Sequence, residues 1–251
     1  MTDVDAGPAT ALPPGLSQTD VVVQSIKAMI TRGELGPGSR LPVEKDLAVA
    51  LGVSRGSLRE GVRALCIMGV LETRQGDGTY VTSLDSTLLL APMAFMVDLQ
   101  TPEHRSDLHV VRRVLESEAA ARAATRITDD ELAAAGQVLE GVRQKVFGDV
   151  PTDIETVMSA DVAFHRVIAN ASDNGALAAL IDALADRTLP ARRTFGVQHE
   201  GQTRTAFHEH EAILAALAAR DPDRARLLMS HHLLAIEVFV DDDDAVPAAA
   251  Q

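Results

Sequence analysis

The sequence contains no tryptophan, one tyrosine and one cysteine, and only 3% of its 251 residues are aromatic. A single cysteine, Cys66, excludes an internal disulfide framework and fits a reducing compartment. Its place in an amphipathic segment suits a small core filler rather than a nucleophile. No apolar run reaches membrane-spanning length, and the opening stretch MTDVDAGPATALPPG lacks the basic start and apolar core of a signal peptide. A soluble, cytoplasmic protein with no membrane partner is expected. A positive excess is missing too: the formal net charge is −13. Its distribution is more informative than its sum, because residues 20–82 carry eight Lys/Arg against seven Asp/Glu. The acidity therefore lies in the larger C-terminal part, and the N-terminal part is not barred from nucleic acid.

What is present is mostly alanine, leucine and other helix formers, in a chain long enough for two domains. Residues 1–17 are rich in Pro, Gly and Ala without periodicity and read as a disordered tail. Apolar spacing predicts a helix from Gln18 to Arg32, a short one opened by Pro42 and ended by Gly52, and a third capped by Ser54 and stopped by Gly69. The stretch VLETRQGDGTYVT then reads as a β-hairpin turning at GDG. Beyond Ser83 the pattern gives only helices, over about 84–98, 105–124, 128–147, 152–170, 175–196, 203–219 and 222–240. The fold class expected is mainly α: a winged helix-turn-helix over 18–82, a linker helix over 83–100, and an all-α bundle over 101–240, with a charged and then small-residue tail over 241–251.

The third predicted helix begins SRGSLREGVRAL after a short helix and a tight turn at Gly52, the spacing of a helix-turn-helix. Its first half offers Ser54, Arg55, Ser57 and Arg59 to base edges or phosphates, while Leu58, Val62 and Leu65 face the domain. At the hairpin tip, Gly76, Asp77 and Gly78 let backbone approach a phosphate or a minor groove. Helix, turn and helix with outward arginines also occur in ordinary bundles. The whole run GELGPGSRLPVEKDLAVALGVSRGSLREGVRALCIMGVLETRQGDGTYV, however, resembles the winged helix-turn-helix of GntR-family bacterial transcription regulators nearly throughout its length. That resemblance implies DNA contacts at Lys45, Arg55 and Arg59 and glycines at the wing tip. Gly56 departs from it, since the family often has threonine there.

A second pattern lies in DVAFHRVIANASDN, residues 161–174, where Asp161 and His165 sit four apart in the middle of an apolar face with Val157, Met158 and Ile168. A carboxylate and an imidazole in a core need partners. Helical projection supplies them: His210 shares a face with Phe207, Ile213, Leu214 and Leu217 whereas His208 points away, and His232 lies among Leu228, Met229 and Ile236 whereas His231 does not. Three imidazoles and one carboxylate suit a borderline divalent metal with room for an exogenous ligand. The alternative is four separately satisfied core polar groups.

Residues 105–240 resemble the FCD effector domain of FadR-like GntR regulators, in VVRRVLESEAAARAA, DVAFHRVIANASDN, HEAILAALAARD and ARLLMSHHL. In that family the positions of Asp161, His165, His210 and His232 bind a divalent metal. Zinc is the metal expected, with nickel or manganese as alternatives, and a small organic acid coordinates it. The resemblance assigns Arg112 to the acid's carboxylate, with Arg113 beside it as a surface residue. The function expected is therefore not enzymatic: a repressor that binds operator DNA as a homodimer, two heads compensating for few phosphate contacts each, and that responds to a carboxylate effector. A regulator for which the metal itself is the signal is the first alternative. A metal-dependent hydrolase is the second, disfavoured by the winged head.

Overall fold

The computed structural model describes residues 15–98, 105–148, 153–185 and 201–244, and the chain divides into two compact units between Pro92 and Met93. The expected tail over 1–17 and the end of the helix expected over 175–196 fall largely outside the described residues.

The first unit contains α1 (Gln18–Thr31), α2 (Glu44–Leu51), α3 (Arg55–Ile67), β1 (Leu71–Arg74), β2 (Gly78–Val81) and the start of α4 (Ser86–Asp98). Local chemistry fixes most boundaries. Ser17 and Asp20 form a capping box at α1, and the Ser54 hydroxyl accepts from the Ser57 amide at 3.0 Å to open α3. Gly52 and Gly69 end α2 and α3 at φ of +65° and +71°, which a side chain would strain. The second helix starts two residues later than a proline at its first position would give, because Val43 is the cap and Pro42 lies outside.

The hairpin pairs Leu71 with Val81 and Arg74 with Gly78. The Pro/Gly segment before α2, which reads from sequence as a plain turn, adds a third edge: the Leu41 amide donates to Thr79 O at 2.8 Å and the Val81 amide to Ser39 O at 2.9 Å. Val22 and Ile26 of α1, Leu47 of α2, Leu58 and Leu65 of α3, and Leu71 and Val81 of the hairpin make one core. Burial of each such side chain is worth roughly 1.5–3 kcal/mol. Within it α1 and α3 touch at Gly61, where a Cβ would stand 2.6 Å from Val22 Cγ1.

In the second unit all described regular elements are helices: α5 (Arg105–Ala124), α6 (Asp129–Phe147), α7 (Ile154–Ala171), α8 (175–185 as described), α9 (Gln202–Ala218) and α10 (Pro222–Asp244). α10 runs four residues past the boundary at 240 expected from the sequence. A Thr128–Glu131 capping box opens α6, and Asp153 caps α7 by accepting from the Thr156 amide. Ala120, Ala123 and Ala124 of α5 are small enough to bring it close to α10. The core they share with Leu139, Phe164, Ile168, Ile213, Leu217 and Met229 surrounds a polar centre.

Candidate functional site

The polar centre is built by three helices. Asp161 and His165 come from one face of α7, His210 from α9 and His232 from α10, and all four are buried. One ligand atom from each lies within 4.8 Å of every other. His210 Nε2 is 3.3 Å from His165 Nε2 and 3.0 Å from His232 Nε2, and Asp161 Oδ1 is 3.4 Å from His210 Nε2 and 3.8 Å from His165 Nε2. Ligands placed about 2.0–2.2 Å from one ion in a tetrahedron are about 3.3–3.6 Å apart, so the spacing fits a first-row divalent cation.

The hydrogen bonds behind the imidazoles fit it as well. His165 Nδ1 bonds the Glu116 carboxylate of α5, and His232 Nδ1 bonds Glu209 Oε2 at 2.7 Å. Each carboxylate holds a proton on Nδ1 and turns a lone pair of Nε2 inward, as carboxylates behind metal-bound histidines do. Two inward lone pairs beside a third imidazole nitrogen and a carboxylate repel one another, and a cation relieves that repulsion. Burial lifts the Glu209 carboxyl above its ordinary range, with His231 opposing the shift. The neighbouring histidines are excluded: the side chains of His208 and His231 are 64% and 73% exposed, against 5% and 2% for His210 and His232.

Arg112 is buried on α5, and its Nε donates to Glu116, whose other oxygen bonds His165. Arg113 is half-buried. Arg112, Glu116 and His165 therefore form one connected chain that ends at the polar centre. Sequence reasoning assigned no role to Glu116 or Glu209. Glu116 had a signal, since it lies one turn after Arg112 on the same face. Glu209 had none, because it neighbours His210 in sequence yet serves His232 across two helices.

The first unit has a different surface. Lys45, Arg55 and Arg59 are exposed on α2 and α3. Arg55 makes no ion pair among the described residues, whereas Arg59 Nε donates to Glu44 Oε2 at 2.9 Å. Ser54 and Ser57 are bonded within the unit: their hydroxyls lie 2.9 Å apart, and Gln18 Oε1 accepts from the Ser54 amide at 3.0 Å and the Ser57 hydroxyl at 3.1 Å. Those serines anchor the start of α3 to α1. Gly76 and Gly78 carry positive φ at the hairpin tip, where Arg40 donates to Asp77 O and its guanidinium fills the space a Gly78 side chain would need. A groove of about 560 Å³ runs between this tip and α2 and α3, lined by Arg40, Glu44, Leu47, Val62 and Gln75 among others.

Comparison with known proteins gives these two surfaces a context. The profile of bacterial regulatory proteins of the gntR family matches residues 18–81, and that of the FCD domain matches 107–235. The HTH-type transcriptional regulator LutR of Bacillus subtilis (strain 168) is 32% identical over 213 residues, 83% of this chain and 94% of LutR. The HTH-type transcriptional repressor NanR of Klebsiella aerogenes is 28% identical over 221 residues, covering 87% of this chain and 83% of NanR. Among solved structures, Streptococcus agalactiae GntR superposes with a TM-score of 0.61 at 27% identity, over 88% of this chain and 99% of that one. Among the described residues no helix is long and apolar enough to cross a membrane. An N-terminal winged helix-turn-helix followed by a helical FCD domain thus places the chain in the GntR family of bacterial regulatory proteins, as a FadR-like transcription regulator and not an enzyme.

Proposed function

We propose that this regulator is a repressor that binds operator DNA as a homodimer and responds to a small organic acid at a divalent metal, zinc in the first instance. Asp161, His165, His210 and His232 would hold the metal, which supplies a Lewis-acidic coordination position for the acid's oxygens. Arg112 pairs the acid's negative end, a bidentate contact suited to a guanidinium in a buried site. On DNA, Arg55 and Arg59 serve as the side chains that reach bases or phosphates, Lys45 serves as a phosphate contact, and Gly76 and Gly78 let the wing backbone approach. Ser54 and Ser57 fix the start of α3 and offer their hydroxyls to phosphates or base edges beside it.

The observation that carries the reading is the pair of carboxylates, Glu116 and Glu209, behind His165 and His232, each turning an Nε2 toward the same point. A set of independently satisfied core polar groups has no reason to converge in this way. Dimer formation is supported by exposed apolar side chains on the paired helices α5 and α10, where Val111, Val114 and Leu227 are 47%, 59% and 69% exposed. The effector's hold on DNA affinity is bounded by its differential affinity for the two arrangements of the helical domain.

Native mass spectrometry with metal analysis tests the reading, the expected species being a dimer with one metal per chain. Once screening of organic acids has found an effector, Arg112→Lys should retain metal and DNA affinity but lose the response, because it keeps a cation beside Glu116 and removes the fork. Zinc alone changing DNA affinity as much as the acid does would favour the metal as the signal. A monomeric, metal-free protein after zinc reconstitution would overturn the reading.

A further inference from the structure

The exposed side of α3 holds its arginines in two different ways. Arg55 makes no ion pair among the described residues, but Arg59, one turn later on the same face, is held by its Nε to Glu44 at the first position of α2. Both partners are well exposed, 70% and 54%, so the pair contributes little to stability, in keeping with the small value of surface ion pairs. A carboxylate on a surface that meets phosphates also weakens DNA binding. An acid so placed needs a reason other than folding or affinity.

We propose that Glu44 is a specificity-determining residue for DNA recognition, acting through Arg59. This rests on the reading that Arg59 contacts DNA. A guanidinium carries one donor on Nε and four on its two Nη atoms. With Nε given to Glu44, only the Nη1/Nη2 edge remains to meet guanine O6 and N7, which are the acceptors an arginine reads in the major groove. Holding the side chain removes rotamer freedom before DNA arrives, so less is lost on forming the base contact. The same carboxylate repels the backbone of every duplex, and only a duplex with guanine under Arg59 compensates for it. Glu44 thus raises the ratio of correct to incorrect binding by holding Arg59, while its charge lowers affinity for DNA in general.

The test uses the full-length protein and two duplexes: one selected by the wild type from a random pool, and the same duplex with single G·C→A·T changes made until the position at which Arg59→Ala no longer discriminates is found. The reading is the ratio of affinities at that position for wild type, Glu44→Ala, Glu44→Gln, Arg59→Ala and the double variants. Glu44→Ala should lower the ratio roughly three- to tenfold, the loss expected from freeing one side chain, while binding of unrelated DNA tightens. Glu44→Gln retains an acceptor for Nε and should keep most of the ratio while also tightening unrelated binding, which separates geometry from charge. With Arg59→Ala, neither Glu44 substitution should change the ratio. Glu44→Ala with an unchanged ratio, or an equal fall with and without Arg59, would overturn the proposal, the second outcome assigning base readout to Glu44 itself. Failure of Arg59→Ala to alter discrimination at any position would overturn the underlying role of Arg59, and the proposal with it.

Discussion

Metal-dependent stability should distinguish His210 from His208 and His232 from His231, residues one or two apart in sequence. A ligand that binds only the folded chain stabilises it by about 2.7 kcal/mol when present at one hundred times its dissociation constant. In a domain of this size about 1 kcal/mol moves the unfolding midpoint by roughly 2–4 °C, so zinc at that ratio should raise it by roughly 5–11 °C. The quantity to compare is the difference between zinc-loaded and chelator-treated samples of the same variant, measured by calorimetry, because it cancels the packing cost of each substitution. His208→Ala and His231→Ala, whose side chains are mostly exposed, should keep the full difference. His210→Ala and His232→Ala remove an Nε2 that lies 3.0 Å from its neighbour at the centre and should lose most of it. Equal zinc shifts in His208→Ala and His210→Ala would refute the geometric argument, and no shift in the wild type would remove the metal altogether.

Three further outcomes follow from other parts of the molecule. Arg55→Ala should weaken binding to a selected duplex by about 1–3 kcal/mol if it reads a base, or lower the salt dependence by about one unit if it meets a phosphate; titration at several salt concentrations would expose an error in its role if neither changed. Gly61→Ala should destabilise the first unit by about 1–3 kcal/mol, because its Cβ would sit 2.6 Å from Val22 Cγ1, and an unfolding midpoint equal to that of the wild type would contradict the close crossing of α1 and α3. The Lys145 ammonium and then Thr156 hold the Asp153 carboxyl far below the usual carboxylate range. A folded-state pKa below the unfolded one gives stabilisation that is complete above the ordinary value of about 4 and is lost as the pH falls below it. Asp153→Asn should therefore flatten the acid limb of urea midpoints against pH, and an unchanged limb would argue against the cap.

Much of this architecture was legible because its signals are local. Gly52 and Gly69 mark helix ends by the φ they need, and Ser54 caps by a bond three residues long. That His210 rather than His208 would meet Asp161 and His165 followed from the 100° step of a helix, which needs no knowledge of the neighbours. What escaped reading depends on segments far apart. The edge formed by residues 38–41 on β2 is a pairing across about forty residues with no periodicity of its own. The tie between the start of α3 and α1 is of this kind, since Gln18, 36 residues earlier, accepts from the Ser54 amide. Glu209 is invisible for the same reason, since its partner His232 is 23 residues away on another helix.

The crossing at Gly61 separates two kinds of change open to α3. On its inner side Leu58, Gly61 and Leu65 are buried against α1 and the hairpin, and a single added methyl group there collides with Val22. On its outer side Arg55, Arg59 and Arg63 are exposed. A descendant of this chain can replace the outer residues one at a time with the helix still at the same depth and angle, whereas a side chain at position 61 shifts the whole outer face together. Retargeting by an engineer follows the same division: under the proposed DNA contacts, libraries belong at 55 and 59, with position 61 left as glycine.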